Sequence, residues 1–197
     1  ENYRSKFKIP KSAFVIGSFQ KDGIGWGEGN EPKLIKGPDI FIDTLRILKF
    51  RIPALFVLLT GPSRGYVKAG LESLKIPYSH YYCDDYSQIY QYYQTLDAYI
   101  VTSREEGGPK AILESMASGI PLVSTRVGQA QDLIKHGING WLCESENYES
   151  LAENILKIFD NNMFDQLIKN KARHTANNNT YDSQLEMWNE FFKPLLR

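Results

Sequence analysis

The residues with the most chemical content run from 103 to 121, SREEGGPKAILESMASGIP, and follow an apolar run that reads as a buried strand ending at Ser103. Gly107 and Gly108 let the backbone turn sharply and approach a ligand closely. Pro109 is predicted as the first helical residue, where its missing N–H costs nothing. The amides of Lys110 and Ala111 then point out of the helix start without intrahelical acceptors, which makes an anion site, and a diphosphate is its natural occupant. Glu114 follows four residues later, about 6 Å along the axis at roughly 1.5 Å per residue. That distance suits the ribose beside a diphosphate, whose 2′- and 3′-hydroxyls a carboxylate can accept from, as the acidic residue of a dinucleotide site does. Glu106, at the strand end, reaches the far side of the diphosphate, so the two glutamates bracket the ligand. The Glu-x7-Glu spacing alone carries little weight, because surface glutamates are the norm. The weight comes from the ordered string: a strand end, Glu-Gly-x-Pro, an apolar helix with the second Glu, Met-Ala-x-Gly-x-Pro, and a new apolar strand.

The elements that must position these residues alternate. Strands are predicted at 13–19, 55–60, 78–83, 98–102, 122–124 and 140–143. Helices are predicted to open at Lys36-Gly37-Pro38, with Ile40, Phe41, Thr44, Leu45 and Leu48 at helical spacing, and to run over 63–74, 85–95, 110–117 and 130–135. Three more close the chain, near 148–159, 164–175 and 182–195, with a polar turn at 177–179. The last has a bulky face of Trp188, Phe191 and Phe192, which docks on this domain or on another. Strands alternating with helices give an α/β, Rossmann-like parallel sheet of about six strands flanked by helices. Ligands bind such sheets at the carboxyl ends of the strands, so the loops after Phe19, Thr60, Cys83, Ser103, Ser124 and Cys143 are where a site is expected.

Composition narrows the class. The chain has 197 residues, 42% hydrophobic and 23% charged, which suits one ordered globular domain. Its formal net charge is zero, so no basic field points to nucleic acid. No apolar run approaches a membrane span and no targeting segment is visible. Cys83 and Cys143 fit no metal or CxxC spacing and read as free buried thiols, with the cytoplasm as the default location. Asp84-Asp85 is not a metal motif, and Asp85 reads as a helix cap. Of the histidines, His136 lies near a helix C-terminus and His80 in the third strand, toward a nucleobase; none of His80, His136 and His174 is expected to be catalytic.

The string at 103–121 resembles the Glu-x7-Glu motif of the retaining, GT-B-fold glycosyltransferases of family 4, the glycosyl transferases group 1. Other segments agree in order. Val127-Gly128-Gln129 is similar to the family's glycine-rich loop after the next strand, with Gln129 where a second glycine is usual. Asp132-Leu133-Ile134 and Gly137-Ile138-Asn139-Gly140 resemble the following helix and turn, and Ile16-Gly17 and Lys36-Gly37 the opening strand and basic site. The resemblance covers about residues 5–195. It implies the C-terminal, donor-binding half of a GT-B enzyme over 1–197, with the acceptor-binding N-terminal domain outside this chain. It implies a nucleoside-diphosphate sugar as donor, no metal or other cofactor, no nucleic acid partner, and peripheral membrane association through the full-length protein.

In the family an Arg after the first strand and a later Lys clamp the diphosphate. Lys36 matches the Lys, and Lys36 and Glu106 are the expected catalytic residues. The Arg position falls on Ser18, a departure that leaves Gln20, Lys21 or Arg64 to supply the contact. The donor-binding set is then Gly17, Ser18, Arg64, Tyr82, Cys83, Gly107, Gly108, Pro109, Lys110, Ala111 and Glu114, with Tyr82 and Cys83 at the nucleobase. The segment 20–35 is longer than the family's usual connection, and it reads either as a mobile loop over the donor site or as an inert insertion. Two other readings stay open: a sugar-nucleotide-binding module that has lost catalysis, and a GT-B-fold sugar-nucleotide epimerase, for which no acid–base constellation is visible.

Overall fold

The computed structural model describes residues 3–160 and 166–195. A short α1 (Tyr3–Lys6) leads into β1 (Phe14–Phe19), which is followed by a one-turn 3-10 segment, Leu34–Lys36, and α2 (Pro38–Arg51). Then come β2 (Leu55–Thr60), α3 (Gly65–Ser73), β3 (Tyr78–Tyr81), a 3-10 turn Tyr86–Gln88, α4 (Ile89–Tyr93), β4 (Ala98–Val101) and α5 (Lys110–Ser118). β5 (Leu122–Thr125), α6 (Ala130–Leu133), β6 (Trp141–Cys143), α7 (Tyr148–Asp160), α8 (Gln166–Asn177) and α9 (Tyr181–Phe192) complete the order. The predicted alternation is present. The start of the helix expected at 164–175 lies outside the described residues, and the helix expected at 85–95 is a 3-10 turn followed by the short α4.

All six strands pair in parallel, in the order β3-β2-β1-β4-β5-β6. The order reverses between β1 and β4, the position where open α/β sheets form a crevice. Alternating strand residues feed two apolar layers. Val57, Leu59 and Ile100 pack with α2, α3 and α7, whereas Val15, Leu58, Tyr99 and Val101 pack with α4, α5 and α8. β2 is buried at every position, as its unbroken LFVLLT sequence requires of a strand covered on both faces. α9 buries no residue: Trp188 stacks on Phe192, Phe191 meets both rings edge-on, and all three stay exposed, so that face does not dock on the described part of this domain.

The segment between β1 and the 3-10 turn is tied to the start of α3. Gly23 bridges Pro32, Ser63 Oγ donates to the carbonyls of Gly25 and Gly27, and the amides of Gly65 and Tyr66 at the start of α3 donate to Glu28 and Gly29. Its root is Asp22, fully buried against the fully buried Arg64, with Nε 3.0 Å from Oδ1 in an ion contact without hydrogen-bond alignment. Burial raises the Asp22 carboxyl above its ordinary range despite Arg64, and burial lowers the Arg64 guanidinium. Removing one member of such a pair strands the other without solvent. Arg64→Leu should therefore cost about 3–5 kcal/mol in urea unfolding at pH 7, and Asp22→Leu with Arg64→Leu should recover a large part of it. A single variant within about 0.5 kcal/mol of the parent, the scatter of ordinary surface changes, would contradict this role.

Candidate functional site

The site forms where the sheet order reverses, by joining the segment after β1 to the loop after β4. Gly37 makes the join. Its φ of 61° is left-handed, and a Cβ there would lie 1.9 Å from the Thr102 carbonyl oxygen. Only glycine lets this turn press against the end of β4. Thr102 Oγ1 donates to the Gly37 carbonyl at 2.9 Å, and the amides of Arg104 and Glu105 both donate to the Ile35 carbonyl at 2.8 and 3.2 Å. The Arg104 guanidinium then binds the Leu34 carbonyl, both oxygens of Asp39 at 2.8 and 2.7 Å, and both oxygens of Glu146.

This clamp puts Lys36 against Glu106. The Lys36 ammonium forms an ion pair with Glu106 Oε1, which also accepts from Ser103 Oγ at 3.0 Å. Lys36 is the last residue of the 3-10 turn and not part of α2, whose N-cap is Gly37. The helix expected to open at Lys36 thus starts at Pro38, and the turn before it brings Lys36 to the Glu106 carboxylate.

α5 begins one residue later than expected. Pro109 has ψ 109° and is the N-cap, with Lys110 as the first helical residue. The amide of Ile112 donates to the Pro109 carbonyl, which leaves the amides of Lys110 and Ala111 without helical acceptors by position. Neither Gly107 nor Gly108 is left-handed, so the tight turn expected of them is not the reason for glycine; a Cβ on Gly107 would meet open space. The left-handed residue is Gly128 (φ 42°), where a Cβ would lie 2.1 Å from the Glu106 carbonyl oxygen. The Gln129 amide donates to the Gly107 carbonyl at 2.8 Å, so the loop after β5 props the loop after β4 from behind.

Glu114 is held by two tyrosines that sequence reasoning missed. Tyr86 donates to Oε1 at 2.5 Å and Tyr93 to Oε2 at 3.0 Å. Tyr93 is fully buried in a cluster with Phe19 and Tyr99, ring centroids 5.0 to 5.2 Å apart. Partial burial first, and then the hydrogen bond to Glu114, keep the Tyr86 phenol well above its ordinary range, so it is a donor at neutral pH. Tyr86 opens the 3-10 turn capped by Asp85, whose side chain accepts from the Ser87 amide as the sequence predicted. Nothing in the spacing of Tyr86 and Tyr93 signals Glu114, because the contact crosses between elements.

Glu114 and Tyr86 form the wall between two hollows. One, of about 330 Å³, is lined by Lys36, Glu106, Gly108, Pro109, Lys110 and Ala111, and also by Lys21 and Lys33. The other, of about 240 Å³, is lined by Phe19, Gly61, Tyr82 and Cys83. The residues expected at a diphosphate and those expected at a base thus fall in adjoining spaces. Four expected donor residues line neither hollow, and the first, Gly107, directly precedes Gly108, which does. Gly17 lies inside the sheet, where a Cβ would meet Leu96 Cδ1 at 2.3 Å, so it is a packing glycine. Ser18 is buried, and its carbonyl and hydroxyl oxygens accept from Arg64 at 2.7 and 3.1 Å. Arg64, committed also to Thr60 and Asp22, has no surface in either hollow. His80 bonds the Gly61 carbonyl at 2.8 Å from behind the second hollow, and burial lowers its pKa. Both cysteines are free; Cys143 is buried, and Cys83 is only partly so.

A parallel sheet in this order with its crevice between β1 and β4 is a doubly wound, Rossmann-like fold, and the solved structures it matches are GT-B glycosyltransferases. The family model described as glycosyl transferases group 1 matches residues 32–181, and the chain belongs to that family. An uncharacterized glycosyltransferase of Haemophilus influenzae is 24% identical over 156 residues, 78% of this chain and 44% of that protein. Sucrose-phosphate synthase of Thermosynechococcus elongatus superposes with a TM-score of 0.81 at 16% identity, over 98% of this chain and 48% of that one. Anabaena HepE, solved in complex with UDP-glucose, gives 0.72 at 24% identity over 88% of this chain and 46% of that one. The chain spans about half the length of these proteins.

The Arg104 hydrogen bonds hold the Asp39 carboxyl below its ordinary value of 3.8. A depressed folded pKa adds stability above the unfolded value, and that stability is lost as pH falls through the folded one. Asp39→Asn should therefore melt a few degrees below the parent at pH 7, with the gap closing below about pH 4 in thermal melts across pH. A gap that widens in acid would contradict the assignment.

Proposed function

We propose that this chain is the donor-binding half of a metal-independent, retaining glycosyltransferase that uses a nucleoside-diphosphate sugar in polysaccharide or glycolipid assembly. The observation that carries the reading is the alignment of three features across the Glu114 wall. The basic hollow at the α5 start takes the diphosphate, Glu114 takes the ribose, and the hollow at Tyr82 and Cys83 takes the base. The ligand printed for HepE, UDP-glucose, has these three parts and a sugar beyond them.

Transfer breaks the bond between the anomeric carbon and the diphosphate, so negative charge grows on the diphosphate oxygens. Lys36 and the amides of Lys110 and Ala111 are fixed where that charge develops and stabilise it without reorganising. Glu106, pinned by Lys36 and Ser103, presents a carboxylate that accepts from a sugar hydroxyl on the far side of the diphosphate. Tyr86 stands in for a ribose hydroxyl at Glu114 and yields or shares that place on binding. The acceptor is held by a domain outside this chain, so the chain by itself binds donor and transfers sugar poorly. No described helix is long and apolar enough to cross a membrane.

Calorimetric titration with UDP-, GDP- and ADP-sugars should give saturable binding to at least one, with Kd between about 1 μM and 1 mM. Glu114→Ala and Lys36→Ala should each weaken it about tenfold, near 1.4 kcal/mol, with the fold unchanged by circular dichroism. Absence of saturable binding to every nucleotide sugar would overturn the reading.

A further inference from the structure

This inference rests on the donor-site reading above and concerns how that site is held while no nucleotide is in it. We propose that Tyr86 latches the segment 84–88 onto Glu114 in the empty site and has to be displaced by the ribose, so that it opposes nucleoside binding.

Residues 84–88 form a small unit, exposed at every position. Asp85 Oδ1 accepts from the Ser87 amide at 3.0 Å and from the Ser87 hydroxyl at 2.6 Å, and Oδ2 accepts from the Gln88 side chain at 3.2 Å. The Gln88 amide and the Cys83 thiol both donate to the Asp85 carbonyl, at 3.0 and 3.2 Å. These bonds tie the turn to itself. Among the described residues, the hydrogen bond from Tyr86 to Glu114 Oε1 is the one that joins residues 84–87 to an element beyond the adjoining α4. An exposed turn closed on itself and held across the crevice by one such contact opens at low cost, with its own geometry kept.

The contact stands where the nucleotide must pass. Tyr86 and Glu114 line both the 330 Å³ and the 240 Å³ hollow. A nucleoside diphosphate that fills both spaces puts its ribose, the covalent link between base and phosphate, across this boundary. The two tyrosines on Glu114 are not equivalent there. Tyr93 is fully buried against Phe19 and Tyr99, so withdrawing it would open a cavity in the core. Tyr86 is 55% exposed and can swing into solvent. Tyr93 therefore keeps Oε2 and holds the carboxylate in place, while Oε1 passes from the phenol to the ribose. The closed latch lowers the fraction of the chain that is open to the ribose, and the apparent affinity for a nucleoside falls with that fraction.

The test is calorimetry at fixed ionic strength on the parent, Tyr86→Phe, Glu114→Ala and the double variant, with circular dichroism checking that the fold is unchanged. The ligands are uridine, guanosine and adenosine diphosphates and, as a ligand without ribose, inorganic pyrophosphate. For the nucleoside diphosphate that binds, Tyr86→Phe should tighten binding about five- to tenfold and leave pyrophosphate within about twofold of the parent. The gain should disappear in the Glu114→Ala background, since Tyr86 acts through that carboxylate. Three results would overturn the latch: unchanged or weaker nucleoside diphosphate binding in Tyr86→Phe, an equal gain for pyrophosphate, or the same gain with Glu114 already replaced. Should neither the parent nor Tyr86→Phe bind any of the three nucleoside diphosphates, the donor-site reading itself fails, and the latch falls with it.

Discussion

The site depends on one close approach, that of the turn at Gly37 to the end of β4. Its Cα sits where any side chain would strike the Thr102 carbonyl oxygen. Because of that contact, a segment leaving β1 and a loop leaving β4, far apart in sequence, join through the Ile35 carbonyl, which accepts from the amides of Arg104 and Glu105. Arg104 reinforces the join with paired hydrogen bonds to Asp39 and Glu146, the geometry in which guanidinium–carboxylate contacts are strongest. Lys36 and Glu106 meet as a consequence, and the crevice acquires both its basic wall and its acidic edge.

A second layer of support lies beneath the ligand-facing atoms. The Phe19–Tyr93–Tyr99 cluster carries Tyr93 to Glu114, and Gly128 and Gln129 brace the backbone of Glu106 and Gly107. Arg64 and Asp22 anchor the strap ahead of Lys36. Glu114 and Glu106 are each oriented in part by a neighbour that does not itself line the hollows, Tyr93 and Ser103. Preorganisation of this kind makes fixed dipoles and ammonium groups effective toward growing charge. It also explains why the basic side of the site comes from a strap of backbone and not from a strand.

The sheet was legible in the sequence because its strands are short apolar runs punctuated by Gly and Pro, and its helices carry apolar stripes at the right period. The α5 start and Glu114 were legible because they lie within one continuous string, where spacing along a helix translates directly into distance. What crosses between elements was not. Arg64 looked free to bind a ligand, yet Asp22, forty-two positions earlier, draws it into the core. Gly17 looked like part of a ligand turn, and its neighbour Leu96 shows that it makes room for a side chain. Tyr86 and Tyr93 gave no local signal, since their meaning comes from partners that only the fold brings near. The segment 20–35 was ambiguous for the same reason: Gly23 and Gly29 pack against the Ser63 backbone just ahead of α3, a partner that only the fold brings near.

The account stands or falls on where a nucleotide lies. A crystal structure of this chain with the nucleoside diphosphate it binds tests that directly. The account predicts phosphate oxygens within hydrogen-bond distance of the Lys110 and Ala111 amides, with the ribose hydroxyls on Glu114 and the base between Tyr82 and Gly61. A nucleotide bound elsewhere on the chain, or one whose phosphates turn away from the α5 start, would contradict it.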